Sequence, residues 1–414
     1  MTVDKLKALE LHRRARGKIR NFPTINVRNE DDMAMVYVPG SIYPAREIMA
    51  EKTSVYDYTG KKNRLAVITD GSATLGLGNI GPDASLPVME GKCLLFRLFA
   101  DINAFPICLD SQHVDDIMHA AQLIAPSFGA INIEDIAAPN TFTVVRELQK
   151  RVEIPVVSDD QHGTAVLILA ALWNALEVVG KNLEDVKIVI LGAGAAGIAT
   201  TELLLHVGAK NIIAINRSGI LGPDNDKMNH FQQELSTRIN PEGIKGGLEE
   251  AIQGADVFIG FSVNGTLTKE QVKRMNDKAI VFALARPEPE ITPEEAIAAG
   301  AAIAGSSLFD SINPMPNLHV YPGICRGLLD VRATGMNRNI LEAAARAVKK
   351  VVDRMRLSET HILPDLFCDE VTPKVAEVVA QKTIEEGLAI LNIPKGQVYD
   401  ETWQRLFGGP MARL

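Results

Sequence analysis

The sequence predicts an α/β fold in two domains followed by a helical tail, and three observations carry this. Short apolar, β-rich runs at 65–69, 105–109 and 154–157 alternate with helix-period stretches at 86–99 and 114–125, the pattern of βα units on a parallel sheet. A further run, 186–191, leads directly into Gly192-Ala193-Gly194-Ala195-Ala196-Gly197 and then an apolar helical stretch at 198–207. GxGxxG is weak alone, but between a strand and a helix it marks a Rossmann-type dinucleotide-binding domain. Residues 336–356 and 373–391 carry helix periods with no strand between them. The expected division is an N-terminal α/β catalytic domain at 1–160, a Rossmann-type NAD(P)-binding domain at 161–355 and a C-terminal helical extension at 356–414.

Bulk composition excludes several classes. The chain has 414 residues, 46% hydrophobic and 23% charged, ordinary for a globular protein with a large core. A net charge of −8 argues against nucleic acid or an anionic membrane as the main partner. The scattered cysteines Cys93, Cys108, Cys325 and Cys368 form no zinc or CxxC spacing and read as reduced thiols of a cytoplasmic protein. No apolar run nears the roughly 20 residues of a membrane span, and the basic N-terminus lacks an apolar signal core.

In order, residues 4–17 form an amphipathic helix, either a solvated surface or an arm that packs on a partner subunit. The run ending at Tyr37-Val38-Pro39-Gly40 is a strand or helix end before a tight turn, with Tyr37 a core or turn residue unless something else claims it. The strand at 65–69 opens into a glycine-rich loop from Asp70 to Pro82, whose backbone comes close to some ligand. In the following helix Lys92 stands among Val88, Met89, Cys93 and Leu94, so it either snorkels or is buried with a lowered pKa.

Two acidic pairs then stand at strand ends, Glu134-Asp135 after 131–133 and Asp159-Asp160 after 154–157. Loops after strands are where α/β proteins place their chemistry. Each acid alone fits a helix cap or first turn. Both pairs brought together need a cation to offset their repulsion, and oxygen-only ligands suit Mg²⁺ or Mn²⁺. In the dinucleotide unit, Gly192 permits the tight turn, Gly194 admits the pyrophosphate and Gly197 lets the helix pack on the sheet, with Ala195 and Ala196 at the helix N-terminus beside the phosphates. The next strand, 211–215, ends at Asn216-Arg217, where an acid would select NAD. Arg217 either tolerates a 2′-phosphate or points to solvent. Further strands are expected at 256–262, 279–285 and 301–304, and residues 319–323 close the domain.

From about residue 8 to about residue 350 the chain resembles the malic enzymes in their short prokaryotic form. The resemblance lies in Tyr37-Val38-Pro39-Gly40, Thr69-Asp70-Gly71, Leu75-Gly76-Leu77-Gly78-Asn79-Ile80-Gly81-Pro82, Leu86-Pro87-Val88-Met89-Glu90-Gly91-Lys92, Ile131-Asn132-Ile133-Glu134-Asp135-Ile136, Asp159-Asp160-Gln161-His162-Gly163-Thr164, the glycine fingerprint and Phe282-Ala283-Leu284, all in the family's order. It implies oxidative decarboxylation of malate to pyruvate and CO₂ with NAD or NADP and Mg²⁺ or Mn²⁺. By the same resemblance Tyr37 is the general acid and Lys92 the general base. Glu134, Asp135 and Asp160 are the metal carboxylates, and Asp159 sits beside the lysine. A homodimer or higher homo-oligomer is expected.

The chain departs from the family where Asn is usual before Pro287. Here Arg286 stands, a fixed charge with five donors, a candidate to grip a substrate carboxylate. Pro316-Asn317 replaces a usual Asn-Asn, leaving Asn317 as the second substrate candidate. Two alternatives follow from these departures. One is an oxaloacetate decarboxylase or a dehydrogenase of another 2-hydroxy acid selected by Arg286. The other is a non-catalytic nucleotide-binding sensor.

Overall fold

The computed structural model describes residues 4–318, 320–352 and 356–408; the expected feature at His319 lies outside them. Two parallel sheets organise the chain. The first holds β1 (Arg64–Thr69), β2 (Asn103–Cys108), β3 (Ala130–Ile133) and β4 (Val156–Ser158) in the order β2-β1-β3-β4. Its central strands are buried on both faces, which explains their near-continuous apolar runs. The register pairs Ile68 with Ile133 and Ile133 with Ser158, so β1, β3 and β4 end at one edge. Asp70, Glu134-Asp135 and Asp159-Asp160 are the residues that follow there.

The second sheet holds β5 (Lys187–Leu191), β6 (Asn211–Asn216), β7 (Gly219–Ile220), β8 (Val257–Gly260), β9 (Ile280–Ala283) and β10 (Ile303–Ser306), ordered β10-β9-β8-β5-β6-β7. All pairs are parallel except β6 with β7, a two-residue strand too short to leave a period in the sequence. Leu191 pairs with Ile215 on one side and Gly260 on the other, so the fingerprint loop opens where connections diverge to both sides of β5, the usual place for a nucleotide.

The helix Gly81–Ala100 starts five residues before its expected beginning. Pro82 sits in its first turn, where a missing N–H is no loss. The expectation that no apolar run nears a membrane span's length is corrected. The turn Asp159–Gly163 is π-helical and continues without a break into the helix Thr164–Val179. Together they are 21 residues, long and apolar enough to cross a membrane by length and composition. That stretch is 72% buried inside the protein, as the central helix of a core should be, and it opens with two carboxylates. Gly180, in the left-handed conformation at φ 71°, ends it.

Behind the sheets, Val320–Asp330, Arg338–Val351 and Val371–Glu385 pack together, and Gln397–Phe407 adds a last helix within the expected C-terminal extension. Val320–Asp330 and Gln397–Phe407 both return to the helix Gly81–Ala100 of the first domain. Buried Arg326 ties this end together by donating to Asn63 and Asp330, and Asp330 also accepts from Arg405. By contrast Lys5–Ala15, Glu30–Val36 and Ile42–Ala50 bury no residue, and Leu6, Leu9, Leu11, Met35 and Tyr43 are exposed along them.

Candidate active site

The edge where β1, β3 and β4 end gathers a cluster of charges. Lys92, carried in by the helix Gly81–Ala100, keeps only 16% of its side chain exposed and sets its ammonium between two carboxylates, 2.8 Å from Glu134 and in a very short contact with Asp159. Of the two sequence alternatives for Lys92, snorkelling is excluded. The lowered pKa is corrected as well. Burial does push Lys92 down, but Asp159 and Glu134 outweigh it and hold the amine well above its ordinary value.

Asn317 donates to Asp159 Oδ1 at 2.8 Å, so this substrate candidate is bonded to the acid beside the lysine. Gly163 makes room for that acid, since a Cβ there would lie 2.0 Å from Asp159 Oδ1. Asn132 donates to Glu134 Oε2 at 2.7 Å and accepts from the buried Tyr321 hydroxyl at 2.5 Å. Sequence reasoning missed Asn132 and Tyr321 as site residues. An amide inside the buried run Ile131-Asn132-Ile133 was the available signal, because a buried polar group needs a partner. Tyr321, in a stretch read as a domain end, left none.

Glu134, Asp135 and Asp160 each place a carboxylate oxygen within 4.8 Å of the others. Asp135 adopts a left-handed backbone, φ 52°, and its N–H donates to Asp160 Oδ2 at 2.8 Å. Its own Oδ2 is buried without a hydrogen bond. Burial, then repulsion from the neighbouring acids, pushes both Asp135 and Asp160 well above the usual carboxylate range. Buried oxygens that repel one another, one of them orphaned, fit a hard divalent cation, which would satisfy the orphan and remove the repulsion. The glycine-rich loop is stitched to these acids, since Ala73 N–H donates to Asp135 O and Ala137 N–H to Ser72 Oγ.

The second sheet's edge holds the cofactor candidates. Gly192, at φ 107°, turns so tightly that a Cβ would lie 2.5 Å from Phe261 O, and one at Gly197 would lie 1.9 Å from Gly192 O. A Cβ at Gly194 would meet nothing within 4 Å, so open space lies beside the helix that Ala195 and Ala196 begin. Asn216 is held in place, accepting from Ser218 N–H at 2.8 Å and Asn225 at 3.0 Å. Arg217 is exposed, and among the described residues it forms no ion pair.

Arg286 follows β9, exposed, where the domains meet. Its carbonyl lies where a Cβ on Gly76 would come within 2.7 Å, and its charge helps hold down Asp159, a carboxyl that burial otherwise raises. Its side chain pairs with no acid among the described residues, Glu288 included. Tyr37 is different. It caps the helix Glu30–Val36, is 68% exposed, and its hydroxyl has no hydrogen bond among the described residues. The single chain does not link it to the Lys92 cluster.

Comparison with known proteins fits this geometry. Residues 16–149 match the malic enzyme N-terminal domain and residues 161–384 the malic enzyme NAD-binding domain. The chain belongs to the malic enzyme family. It is 44% identical over 398 residues to a bifunctional malic/malolactic enzyme of Bacillus subtilis (strain 168), covering 96% of this chain and 97% of that one. It is 45% identical to an NAD-dependent malic enzyme of Geobacillus stearothermophilus, covering 92% and 80%. The crystal structure of a malic enzyme from Pyrococcus horikoshii Ot3 superposes with a TM-score of 0.93 at 39% identity, over 99% of this chain and 97% of that one. The fold expected from the sequence is therefore that of the malic enzymes, and the Lys92 cluster lies in their N-terminal domain and its junction with the next.

Proposed function

We propose that this malic enzyme converts malate to pyruvate and CO₂ while reducing NAD or NADP. The observation that carries the reading is Lys92 between Asp159 and Glu134, beside the Glu134–Asp135–Asp160 triad. Glu134, Asp135 and Asp160 would hold Mg²⁺ or Mn²⁺, which would supply Lewis-acid polarisation of the C2 oxygen. Lys92 starts as an ammonium, held so by Asp159 and Glu134, and it would serve as a base after losing that proton to solvent once the charge of Glu134 is drawn to a cation. The amine so freed would take the C2 hydroxyl proton, with a bound nicotinamide supplying the hydride acceptor. Loss of CO₂ leaves the enolate of pyruvate, and Tyr37 protonates its C3. Asn317 keeps Asp159 aimed at Lys92, and Asn132 with Tyr321 does the same for Glu134.

Gly192, Gly194, Ala195, Ala196 and Gly197 seat the pyrophosphate, and the unpaired Arg217 beside Asn216 is free to accept a 2′-phosphate. Arg286, unpaired among the described residues and with its charge felt at Asp159, grips a substrate carboxylate. The helices at 5–50 that bury nothing belong against a second copy of the chain, so the working form is a homo-oligomer, and Tyr37 joins a site when that arm is covered. A cytoplasmic location accords with four free cysteines. Initial rates on a panel of 2-hydroxy and 2-oxo acids, each with NAD and NADP and with Mn²⁺ or EDTA, test the proposal. Malate should lead, and only with metal. A faster 2-hydroxy acid would shift the substrate to the class Arg286 selects, and no turnover of any acid would sink the enzymatic reading.

A further inference from the structure

The turn that carries Asp159 and Asp160 also carries Gln161 and His162, and these two line a cavity of about 200 Å³ that none of the clustered carboxylates lines. Its walls come from both domains, with Phe142 from the helix Asn140–Gln149, Ile198 and Ala199 from the fingerprint helix Ala195–His206, Phe231 from His230–Ser236 and Leu341 from Arg338–Val351. Phe142 and Phe231 meet at a tilt of 46° with ring centroids 4.9 Å apart. The charges on the lining are spent on one another, Arg146 with Glu234 at 3.5 Å and Arg338 with Glu202 at 2.6 Å, so no net charge is offered to a ligand.

Two polar groups are not spent. His162 Nδ1 accepts from Ser158 N–H at 3.1 Å, which fixes the proton on Nε2, and that N–H has no partner among the described residues. Gln161 is buried and donates to Thr141 Oγ1 at 3.1 Å, leaving its carbonyl oxygen likewise unmatched. One donor and one acceptor, on adjacent residues of a chamber whose four charged lining residues are paired with one another, match a carboxamide, whose carbonyl accepts and whose N–H donates. An engineered cavity of roughly 150 Å³ holds benzene. The space here holds one ring and an amide.

We propose that this inter-domain cavity is an effector site for an uncharged, single-ring carboxamide, coupled to the carboxylate cluster through the turn they share. Seating the amide on Gln161 and His162 fixes the segment that presents Asp159 and Asp160, so the cavity and the cation influence each other's affinity reciprocally. The coupling rests on the metal reading above; the binding does not.

The probe is benzamide, titrated into the full-length protein by calorimetry with NAD saturating, so that the nicotinamide pocket is filled. Saturable millimolar binding is expected. N,N-dimethylbenzamide, which has lost the donor, should bind about tenfold more weakly, the value of one hydrogen bond, and benzoate should not bind. Ala199→Phe fills the chamber away from the catalytic groups and should abolish binding while leaving thermal unfolding and malate turnover near wild type. Adding Mn²⁺ should change the benzamide affinity severalfold. Equal binding of benzoate would overturn the chemical class, unchanged binding to Ala199→Phe or none to wild type would overturn the site, and insensitivity to Mn²⁺ would overturn the coupling alone.

Discussion

Lys92→Ala and Tyr37→Phe should fail in different ways, because the two residues act on different bonds. A general acid or base contributes roughly 10²- to 10⁴-fold. Losing the Lys92 amine should cost that factor in the hydride step, seen as slow reduction of pyruvate-like ketones as well as slow malate oxidation. Losing the Tyr37 hydroxyl should spare ketone reduction and slow the protonation of C3. Partial-reaction assays that find both variants equally impaired in every step would end this division of labour. Arg286→Asn is the second test at this scale. A charge-assisted pair contributes roughly 1.5–3 kcal/mol, so the KM for the preferred acid should rise about ten- to a hundredfold; unchanged kinetics on every acid of the panel would leave Arg286 a surface residue. The ammonium state of Lys92 was not legible in the sequence. Its apolar neighbours in the helix are visible there, but the two acids that reverse the effect of burial arrive from 42 and 67 residues away.

Elements carried most of what the sequence did reveal. The βα alternation, the apolar helix-like run at 165–179 and the fingerprint junction left periods and glycines long enough to detect, and both carboxylate pairs could be placed at strand ends. That β1, β3 and β4 finish level, and so converge their acids, is a matter of register, which no single strand records. The length of the central helix was hidden by its polar first turn. The N-terminal arm gives the element-scale prediction. If a second copy covers it, Leu9→Asp should shift the protein toward monomer in light scattering coupled to gel filtration, and should lower malate turnover in step because Tyr37 rides on the same arm. A monodisperse oligomer with full activity in that variant would place the interface elsewhere.

For the whole molecule, the raised carboxyls of Asp135 and Asp160 link stability, pH and metal. Unfolded, each titrates near 4. Above that pH the folded protein still holds protons the unfolded chain has released, so the metal-free protein should lose stability as pH rises from about 4 through the raised folded values. A divalent cation replaces those protons. The gain in Tm on adding Mn²⁺ should therefore be larger at pH 8 than at pH 5.5, and a gain independent of pH would contradict buried, repelling acids as its cause.

One cation, held by Glu134, Asp135 and Asp160, is expected to serve the decarboxylation. The most direct test titrates Mn²⁺ into EDTA-stripped wild type and Asp160→Asn, reading bound Mn²⁺ by electron paramagnetic resonance and CO₂ release from malate in the same samples. Wild type should bind one Mn²⁺ per chain with turnover rising along the binding curve. Asp160→Asn should bind more weakly by at least about tenfold, the loss of one charged ligand interaction, with turnover orders of magnitude lower. Equal Mn²⁺ binding by the variant, or full turnover in excess EDTA, would contradict it.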